Sequence, residues 1–380
     1  MGAGNQKEHY IQDAAEKYAV YRLQKLAAES NLSITNDYFF HKKEYEEYCR
    51  ERGISEDFKK SKYKKICDTW LPNFFNALRD KHPKSKFDFV DVESEFRNLG
   101  KKGDILVKFS DGTPDLSFSL KNYEKGWGRP QLCSGTWFSF LINMLLPKSG
   151  SPGMIVDPDN PELSYKAANN IEKTKKHMDN LGYLTPEVEG YLDWCMNTLS
   201  EVRTFYVNGD EAKNWSGVSE KWKNDCETLG LRAIEQMSSA LKSIPSAVVK
   251  ERLIEMAGLS FDEELLLLGP KGYLSSYHNE KYRQILNRVA SSNCTVDCRK
   301  NKKSLSFVFM DQDGEVVNVE IPFTLQKNGA WYLPKEKYEG LKFHEKEKIN
   351  LAYGDRRPKK SKEINTSINT YLNLNKALKQ

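Results

Sequence analysis

The stretch Gly103-Asp104-Ile105-Leu106-Val107-Lys108-Phe109, followed by Leu116-Ser117-Phe118-Ser119-Leu120-Lys121, decides the fold of this 380-residue chain. In the second segment three apolar residues alternate with Ser117, Ser119 and Lys121, which is the period of a strand with one apolar face. The Asp111-Gly112 pair between the segments is typical of a tight turn, so an antiparallel hairpin is predicted. The start of one strand then lies beside the end of the next, and we expect Asp104 and Lys121 to be spatial neighbours.

The residues around this hairpin predict a mixed fold of the α+β or α/β class. Residues 11–29 and 54–80 have the apolar spacing of helices, and residues 87–96 have the short period of a strand. With the hairpin, this strand makes a three-strand meander. The apolar residues 137–146 predict a helix that packs on the sheet.

The rest of the chain predicts three further units. A run of proline, serine and glycine closes the first unit near residue 150. Residues 151–291 are predicted as a largely helical region and a possible DNA-recognition module, and residues 292–340 as a β-hairpin unit. Residues 341–380 form a basic tail that we expect to be the least ordered part.

The size and composition of the chain favour a folded protein outside the membrane. With 39% hydrophobic residues it can fill cores, and its length exceeds what one core usually serves. Its longest apolar run is about half the length that a membrane-spanning helix requires. The first residues lack the apolar stretch of a secretory signal, and the seven cysteines are scattered, so we expect a cytoplasmic protein and no membrane partner.

The positive charge of the chain is concentrated in two places. The net charge is +5, and residues 341–380 hold ten Lys or Arg against four Asp or Glu. A second basic cluster lies between residues 50 and 65 and includes Lys59, Lys60 and Lys62. Such patches attract phosphate backbones, although a solvated helix face explains each of them equally well.

A carboxylate beside a lysine at the edge of a sheet suits phosphodiester hydrolysis. The carboxylate can hold Mg²⁺, which polarises the phosphate and activates a water, while the lysine orients that water or stabilises developing charge. One carboxylate holds Mg²⁺ weakly, so a second is expected within reach of Asp104 and Lys121.

This arrangement resembles the PD-(D/E)xK nuclease superfamily, and more narrowly the type II restriction endonucleases, whose core runs helix, three-strand meander, helix. The resemblance covers roughly residues 10–146. It implies that Asp104 binds the metal and that Lys121, seventeen positions later, is the catalytic lysine. The sequence departs from the pattern at Ser119, where the family usually has an acidic residue.

Two places in the sequence can supply the missing carboxylate. Glu16 lies on the apolar stripe of the first helix, where a bare carboxylate needs a partner or a metal, and the family often has a glutamate on this helix. The first strand is the other source, since Asp91, Glu93 and Glu95 project from one face. We rank Glu93 and Glu95 behind Glu16.

The segment from Asn122 to Trp137 combines glycines, aromatic residues and hydrogen-bond donors, and we predict a loop that contacts DNA. Asn122, Arg129 and Gln131 are the expected readers of phosphates or bases.

These features predict a Mg²⁺-dependent endonuclease that cleaves double-stranded DNA at a short specific site. A homodimer is expected because two strands must be cut. Two alternatives stay open: a non-catalytic DNA-binding protein with a degenerate nuclease fold, and a nuclease of repair or defence.

Overall fold

The fold is taken from a computed structural model of the chain. It describes residues 3–92, 103–122, 129–146, 154–155, 165–167, 170–199, 204–205, 215–301, 304–322, 326–328, 362–365 and 367–378. The helices are α1 (Ala3–Glu29), α2 (Tyr38–Glu51), α3 (Ser55–Lys60), α4 (Lys62–Lys81), α5 (Trp137–Leu145), α6 (Ile171–Asn180), α7 (Pro186–Trp194), α8 (Trp215–Lys242), α9 (Ser246–Ala257), α10 (Glu280–Ala290) and α11 (Leu374–Ala377), with a π-helical turn at Cys195–Leu199.

Strands make up two larger sheets and two small ones. They are β1 (Phe87–Asp91), β2 (Ile105–Phe109), β3 (Leu116–Asn122), β4 (Gln131–Thr136), β5 (Met154–Ile155), β6 (Tyr165–Lys166), β7 (Thr204–Phe205), β8 (Glu263–Gly269), β9 (Gly272–Leu274), β10 (Thr295–Asn301), β11 (Ser304–Asp311), β12 (Gly314–Pro322), β13 (Gln326–Asn328), β14 (Lys362–Asn365) and β15 (Ser367–Asn373). The first sheet has the order β1-β2-β3-β8-β9 and the second the order β10-β11-β12-β15-β4. The small sheets are β13-β14-β7 and β5-β6.

The first sheet contains the predicted meander. β1, β2 and β3 pair antiparallel in sequence, with Asp91 opposite Ile105 and Ile105 opposite Phe118. The turn between β2 and β3 is at Asp111-Gly112, where Gly112 has a φ of 81°. The mixed α and β composition predicted from sequence is therefore present.

One face of the first sheet packs on α1 and α4. Ala15, Ala19 and Leu23 of α1 are fully buried, and their spacing of four residues along the helix is the one that the sequence pattern predicts. The two alanines allow the helix backbone to approach the sheet closely. Phe74 of α4 and Phe118 of β3 meet edge to face in the same core, with ring centroids 5.1 Å apart.

Strand β8 extends the sheet inside the region that was predicted to be largely helical. It pairs parallel to β3, and its four consecutive leucines, residues 265–268, are buried. Leu266 and Leu268 face the first core, whereas Leu265 and Leu267 face a second core. A short apolar run without alternation is typical of a strand covered on both faces, and it resembles a buried helix segment in sequence.

The second core lies between the other face of β8 and β9, several helices and the second sheet. Helix α5 belongs to this core, with the Phe140 and Phe307 rings 6.3 Å apart. This helix shares a core with the first sheet, as predicted, but with its strands β8 and β9 rather than with β1 to β3.

The second sheet contains the predicted hairpin, β11 and β12, but also strands from distant parts of the chain. β15 pairs with β12 and with β4, and Leu372 and Leu374 are fully buried. The prediction of a poorly ordered tail is therefore wrong for residues 367–378. The predicted loop after Lys121 is likewise a strand at Gln131–Thr136, because pairing with β15 satisfies its backbone.

None of the helices that the structure describes is long and apolar enough to cross a membrane.

Candidate active site

The candidate site lies at the edge of the first sheet where β1 ends, β2 begins and β3 ends. This edge follows from the antiparallel register, which places Asp91 beside Ile105 and the residue before it, Asp104. Lys121 is near the end of β3 at the same edge. Residues separated by many positions in sequence thus bring their charged groups together.

Asp104 and Lys121 are in contact, as the sequence predicts. Lys121 Nζ lies 3.3 Å from Asp104 Oδ2, and the two side chains are 26% and 18% exposed. The same carboxylate oxygen accepts a hydrogen bond from the backbone N–H of Leu120 at 2.6 Å and one from the Ser119 hydroxyl at 3.4 Å. The carboxylate is thus oriented by donors from three consecutive residues of β3, and Ser119 contributes one of them.

Gly103 allows Asp104 to reach this position. Its φ is 150°, and a Cβ on it would lie only 2.0 Å from the Ser117 hydroxyl oxygen. The backbone of residue 104 comes close enough to β3 for its N–H to donate to the Phe118 carbonyl at 2.8 Å. A larger residue at 103 would be strained at this φ and would require the Ser117 side chain to move.

Glu16 of α1 interacts electrostatically with both Asp104 and Lys121. Burial of its side chain and the nearby Asp104 carboxylate hold the pKa of Glu16 well above its usual value, and the Lys121 ammonium acts in the opposite direction. Asp13 and Asp91 raise this pKa further. The Glu16 carboxyl is therefore within electrostatic range of Asp104 and Lys121.

A second ion pair at this edge was missed by sequence reasoning. Lys17 Nζ lies 2.7 Å from Asp91 Oδ2, and both side chains are mostly buried. Asp91 alternates with Phe87 and Phe89, so it lies on the strand face that packs on α1. The sequence had already offered Asp91 as a carboxylate source, and its place on an apolar strand face was the signal that could have predicted a cationic partner on α1.

The other predicted acidic residues, Glu93 and Glu95, lie outside the described residues. Within the part of the chain that the structure describes, no group of three or more His, Cys, Asp or Glu side chains is arranged to hold a metal ion. Mg²⁺ commonly uses only one or two protein carboxylates, with water and substrate phosphate as further ligands. Glu16 and Asp104 are the two carboxylates that would hold such an ion, since burial and then the Asp104 carboxylate raise the pKa of Glu16, and a divalent cation would favour the charged form.

Two of the predicted DNA-reading residues lie at the second sheet. Arg129 Nη2 contacts Glu320 Oε2 at 2.6 Å, and its guanidinium lies 4.6 Å from the centre of the Tyr371 ring. Gln131 is exposed in β4 and is paired in register with Tyr371. Asn122, the third, is the last residue of β3, opposite Leu268 of β8.

The predicted basic cluster is largely compensated by neighbouring carboxylates. Lys59 pairs with Glu56 at 2.8 Å, and Lys62 pairs with Glu8 at 3.4 Å. Lys60 is exposed at the end of α3. These contacts favour a solvated helix surface over a dedicated phosphate-binding patch.

Comparisons of the chain with protein-family models, with curated proteins and with solved structures found no match.

Proposed function

We propose that this chain is a Mg²⁺-dependent endonuclease that hydrolyses phosphodiester bonds of double-stranded DNA. The proposal takes the first sheet with α1 as a core of the PD-(D/E)xK, restriction-endonuclease type. The observation that best supports the proposal is the 3.3 Å contact between Lys121 Nζ and Asp104 Oδ2. The Glu16 carboxyl interacts electrostatically with both of these groups. A part-buried cluster of carboxylates and a lysine at a sheet edge is unfavourable for stability, and such costs are characteristic of functional sites.

Each group has a distinct role in this proposal. Glu16 and Asp104 would hold Mg²⁺, which when bound polarises the phosphate and lowers the pKa of a water. Lys121 orients the attacking water or stabilises the charge that develops on the phosphate oxygens. Ser119 donates to Asp104 and keeps its carboxylate aligned, so it supports the site without acting as a ligand.

The substrate and the assembly follow from the chemistry of duplex cleavage. Two strands must be cut, which favours a homodimer with one site for each strand. Site-specific cleavage of the restriction type, in the cytoplasm, requires residues beyond the first sheet to read the sequence. The helices and second sheet that follow the core offer surface for this reading.

A second candidate function is a non-catalytic DNA-binding protein with a degenerate nuclease fold. The observation in its favour is Ser119, which occupies the position where the family usually has an acidic residue. The part-buried contact of Asp104 with Lys121 favours the enzyme, because DNA binding alone does not require this pair. A repair or defence nuclease would use the same chemistry on a different substrate.

The test is incubation of the purified full chain with plasmid DNA in Mg²⁺ or in EDTA. Lys121→Ala and Asp104→Ala should each lower the Mg²⁺-dependent cleavage rate by roughly 10³-fold while DNA binding persists. Lys86→Ala and Asp115→Ala are matched controls, since both residues are exposed at the opposite end of the same sheet.

Discrete fragments would support site-specific restriction, and a smear would support a non-specific nuclease. DNA that is bound but stays intact would support the non-catalytic alternative. Wild-type cleavage by either active-site variant would refute the assignment of the site.

A further inference from the structure

An exposed apolar surface lies at the start of α2. Ile34, Phe39 and Phe40 are 43%, 67% and 60% exposed, and they are three of the six large hydrophobic side chains that are exposed among the described residues. The Phe39 ring also packs against the Tyr38 ring, with the centroids 4.1 Å apart. Single exposed apolar residues are common, but three within one short segment are typical of a surface that contacts another molecule.

Two charged residues flank Phe40 along one row of the helix. Asp37, which directly precedes α2, is followed by Phe40 and Lys43 at intervals of three residues, and this spacing places side chains on one face of a helix. Asp37 and Lys43 are both exposed. Within the described part of the chain neither side chain forms an ion pair, and the Asp37 side chain does not cap the helix.

This row of acid, aromatic ring and base is complementary to itself. If two copies of α2 pack antiparallel about a two-fold axis at Phe40, Asp37 of each copy lies opposite the partner's Lys43, because both residues are three positions from Phe40. The phenylalanine rings then meet at the axis, where they exclude water from the centre of the contact.

We propose that the surface of Ile34, Phe39 and Phe40 is the contact between two copies of this chain, with Asp37 of one copy paired with the partner's Lys43. The inference rests on the proposed function in one respect, since cleavage of both strands calls for two copies. The charges favour a second copy over DNA as the occupant, because the exposed Asp37 carboxylate would repel a phosphate backbone.

The position of this contact suits an enzyme with one site in each copy. Helix α2 packs along α1, where the Tyr48 hydroxyl donates a hydrogen bond of 2.8 Å to Asp13 and the Tyr48 ring lies 5.9 Å from Lys17 Nζ. Lys17 directly follows Glu16. Phe39 precedes Tyr48 by a distance of about 13 Å along the helix, so the contact lies away from the end of α2 that is near the candidate site.

The oligomeric state of the full chain tests the proposal, measured by sedimentation velocity over a range of concentrations without DNA or metal. The wild type should form a dimer. Phe40→Ala should raise the dissociation constant of this dimer by roughly 30-fold or more, as expected for an aromatic residue at the centre of an interface. Phe261→Ala truncates an exposed phenylalanine elsewhere in the chain and should leave the constant unchanged.

Charge reversal tests the predicted pairing. Asp37→Lys and Lys43→Asp should each raise the dissociation constant by about 10-fold or more, because like charges then face each other twice across the axis. An equimolar mixture of the two variants should dimerise again, since each copy supplies the charge that the other lacks. Lys271→Asp, at an exposed lysine between β8 and β9, is the control and should dimerise like the wild type.

A wild type that is monomeric at every concentration would overturn the inference, as would a folded Phe40→Ala protein that dimerises like the wild type. Mixed charge variants that stay monomeric would overturn the pairing of Asp37 with Lys43. A monomeric wild type whose DNA affinity falls in Phe40→Ala would assign the surface to DNA instead. Plasmid cleavage in Mg²⁺ by the same preparations tests the proposed function separately, because a dimer that cleaves no DNA would refute that function and leave the interface in place.

Discussion

The two five-stranded sheets of this protein differ in how the charged side chains around them are arranged. At the end of the first sheet where β1 ends and β2 begins, Glu16, Asp91 and Asp104 interact with one another's surroundings and with the ammonium groups of Lys17 and Lys121. Around the second sheet the described ionic contacts are separate pairs, such as that of Arg288 Nε with Asp311 Oδ2 at 2.6 Å. One sheet thus carries a cluster of part-buried charged groups, which is typical of a functional site, and the other is stabilised by apolar packing and local pairs.

The largest expected effect tests the cluster at the first sheet. Glu16→Gln removes one of the crowded carboxylates but keeps the shape of the side chain. If Glu16 is a metal ligand, Mg²⁺-dependent cleavage should fall by about 10³-fold, which corresponds to about 4 kcal/mol in the activation free energy. The melting temperature at neutral pH should stay the same or rise, because burial and the Asp104 carboxylate disfavour the charged form of Glu16.

Glu93→Gln and Glu95→Gln are the comparison variants for this experiment, since both residues were predicted as competing ligands. Loss of activity in one of them, with normal activity in Glu16→Gln, would transfer the ligand role to the first strand. Normal cleavage by all three would leave Asp104 with an unidentified ligand and contradict the site assignment.

The second effect tests the apolar packing of the second sheet. Leu372→Ala in β15 truncates a fully buried side chain, and we expect a loss of about 2–5 kcal/mol in the free energy of unfolding. Chemical denaturation by urea measures it. The cleavage rate per folded molecule should change little, because β15 belongs to the second sheet.

Leu231→Ala is the matched control, since Leu231 is a leucine that is exposed on α8. Equal stability of the Leu372→Ala and Leu231→Ala proteins would show that residues 367–373 do not complete the second sheet.

A third, smaller effect concerns a carboxylate inside the first sheet. Glu264 of β8 is buried, and this burial raises its pKa to about 7. A hydrogen bond of 2.6 Å from Ser275 and the charge of Arg283 both lower the pKa, but less than burial raises it. In the unfolded chain the group has a pKa of 4.5, so the folded state binds its proton more tightly. Its contribution to stability is complete below pH 4.5 and is lost as the pH rises to about 7.

In Glu264→Gln the free energy of unfolding should therefore fall less between pH 4.5 and about 7 than it does in the wild type. The difference between the two proteins in this fall should be roughly 3 kcal/mol at most. Urea denaturation at several pH values checks it, with the exposed Glu251→Gln on α9 as control. A Glu264→Gln profile parallel to the wild-type profile would show that Glu264 titrates normally.

The smallest effect concerns the basic cluster. Lys59 and Lys62 are already paired with Glu56 and Glu8, so replacing Lys59, Lys60 and Lys62 by alanine should change the slope of log K against log salt by less than about 1 for DNA binding. A slope that falls by about 3 would mean that each lysine contacts a phosphate. Helices α3 and α4 would then carry a phosphate-binding surface in addition to the charged cluster at the first sheet.

Local pattern predicted those parts of the molecule in which neighbouring residues carry the signal. The alternation of Leu116, Phe118 and Leu120 predicted β3, and the Asp111-Gly112 turn predicted its pairing with β2. The proximity of Asp104 to Lys121 followed from that hairpin, and the inward position of Glu16 followed from the helical stripe. Helix α2 was missed because only His41 and Cys49 of its residues are buried, which leaves little apolar period to detect.

By itself, the sequence determined the meander, the first helix and the contact of Asp104 with Lys121, because periodicity and turn chemistry act over a few residues. Only the tertiary structure decided that β8 pairs with β3, that β15 joins β4 to β12, and that Lys17 neutralises Asp91. These contacts join residues that are far apart in the chain, and many alternative pairings bury similar apolar surface. The choice among them is made by packing of the whole molecule, which no local pattern encodes.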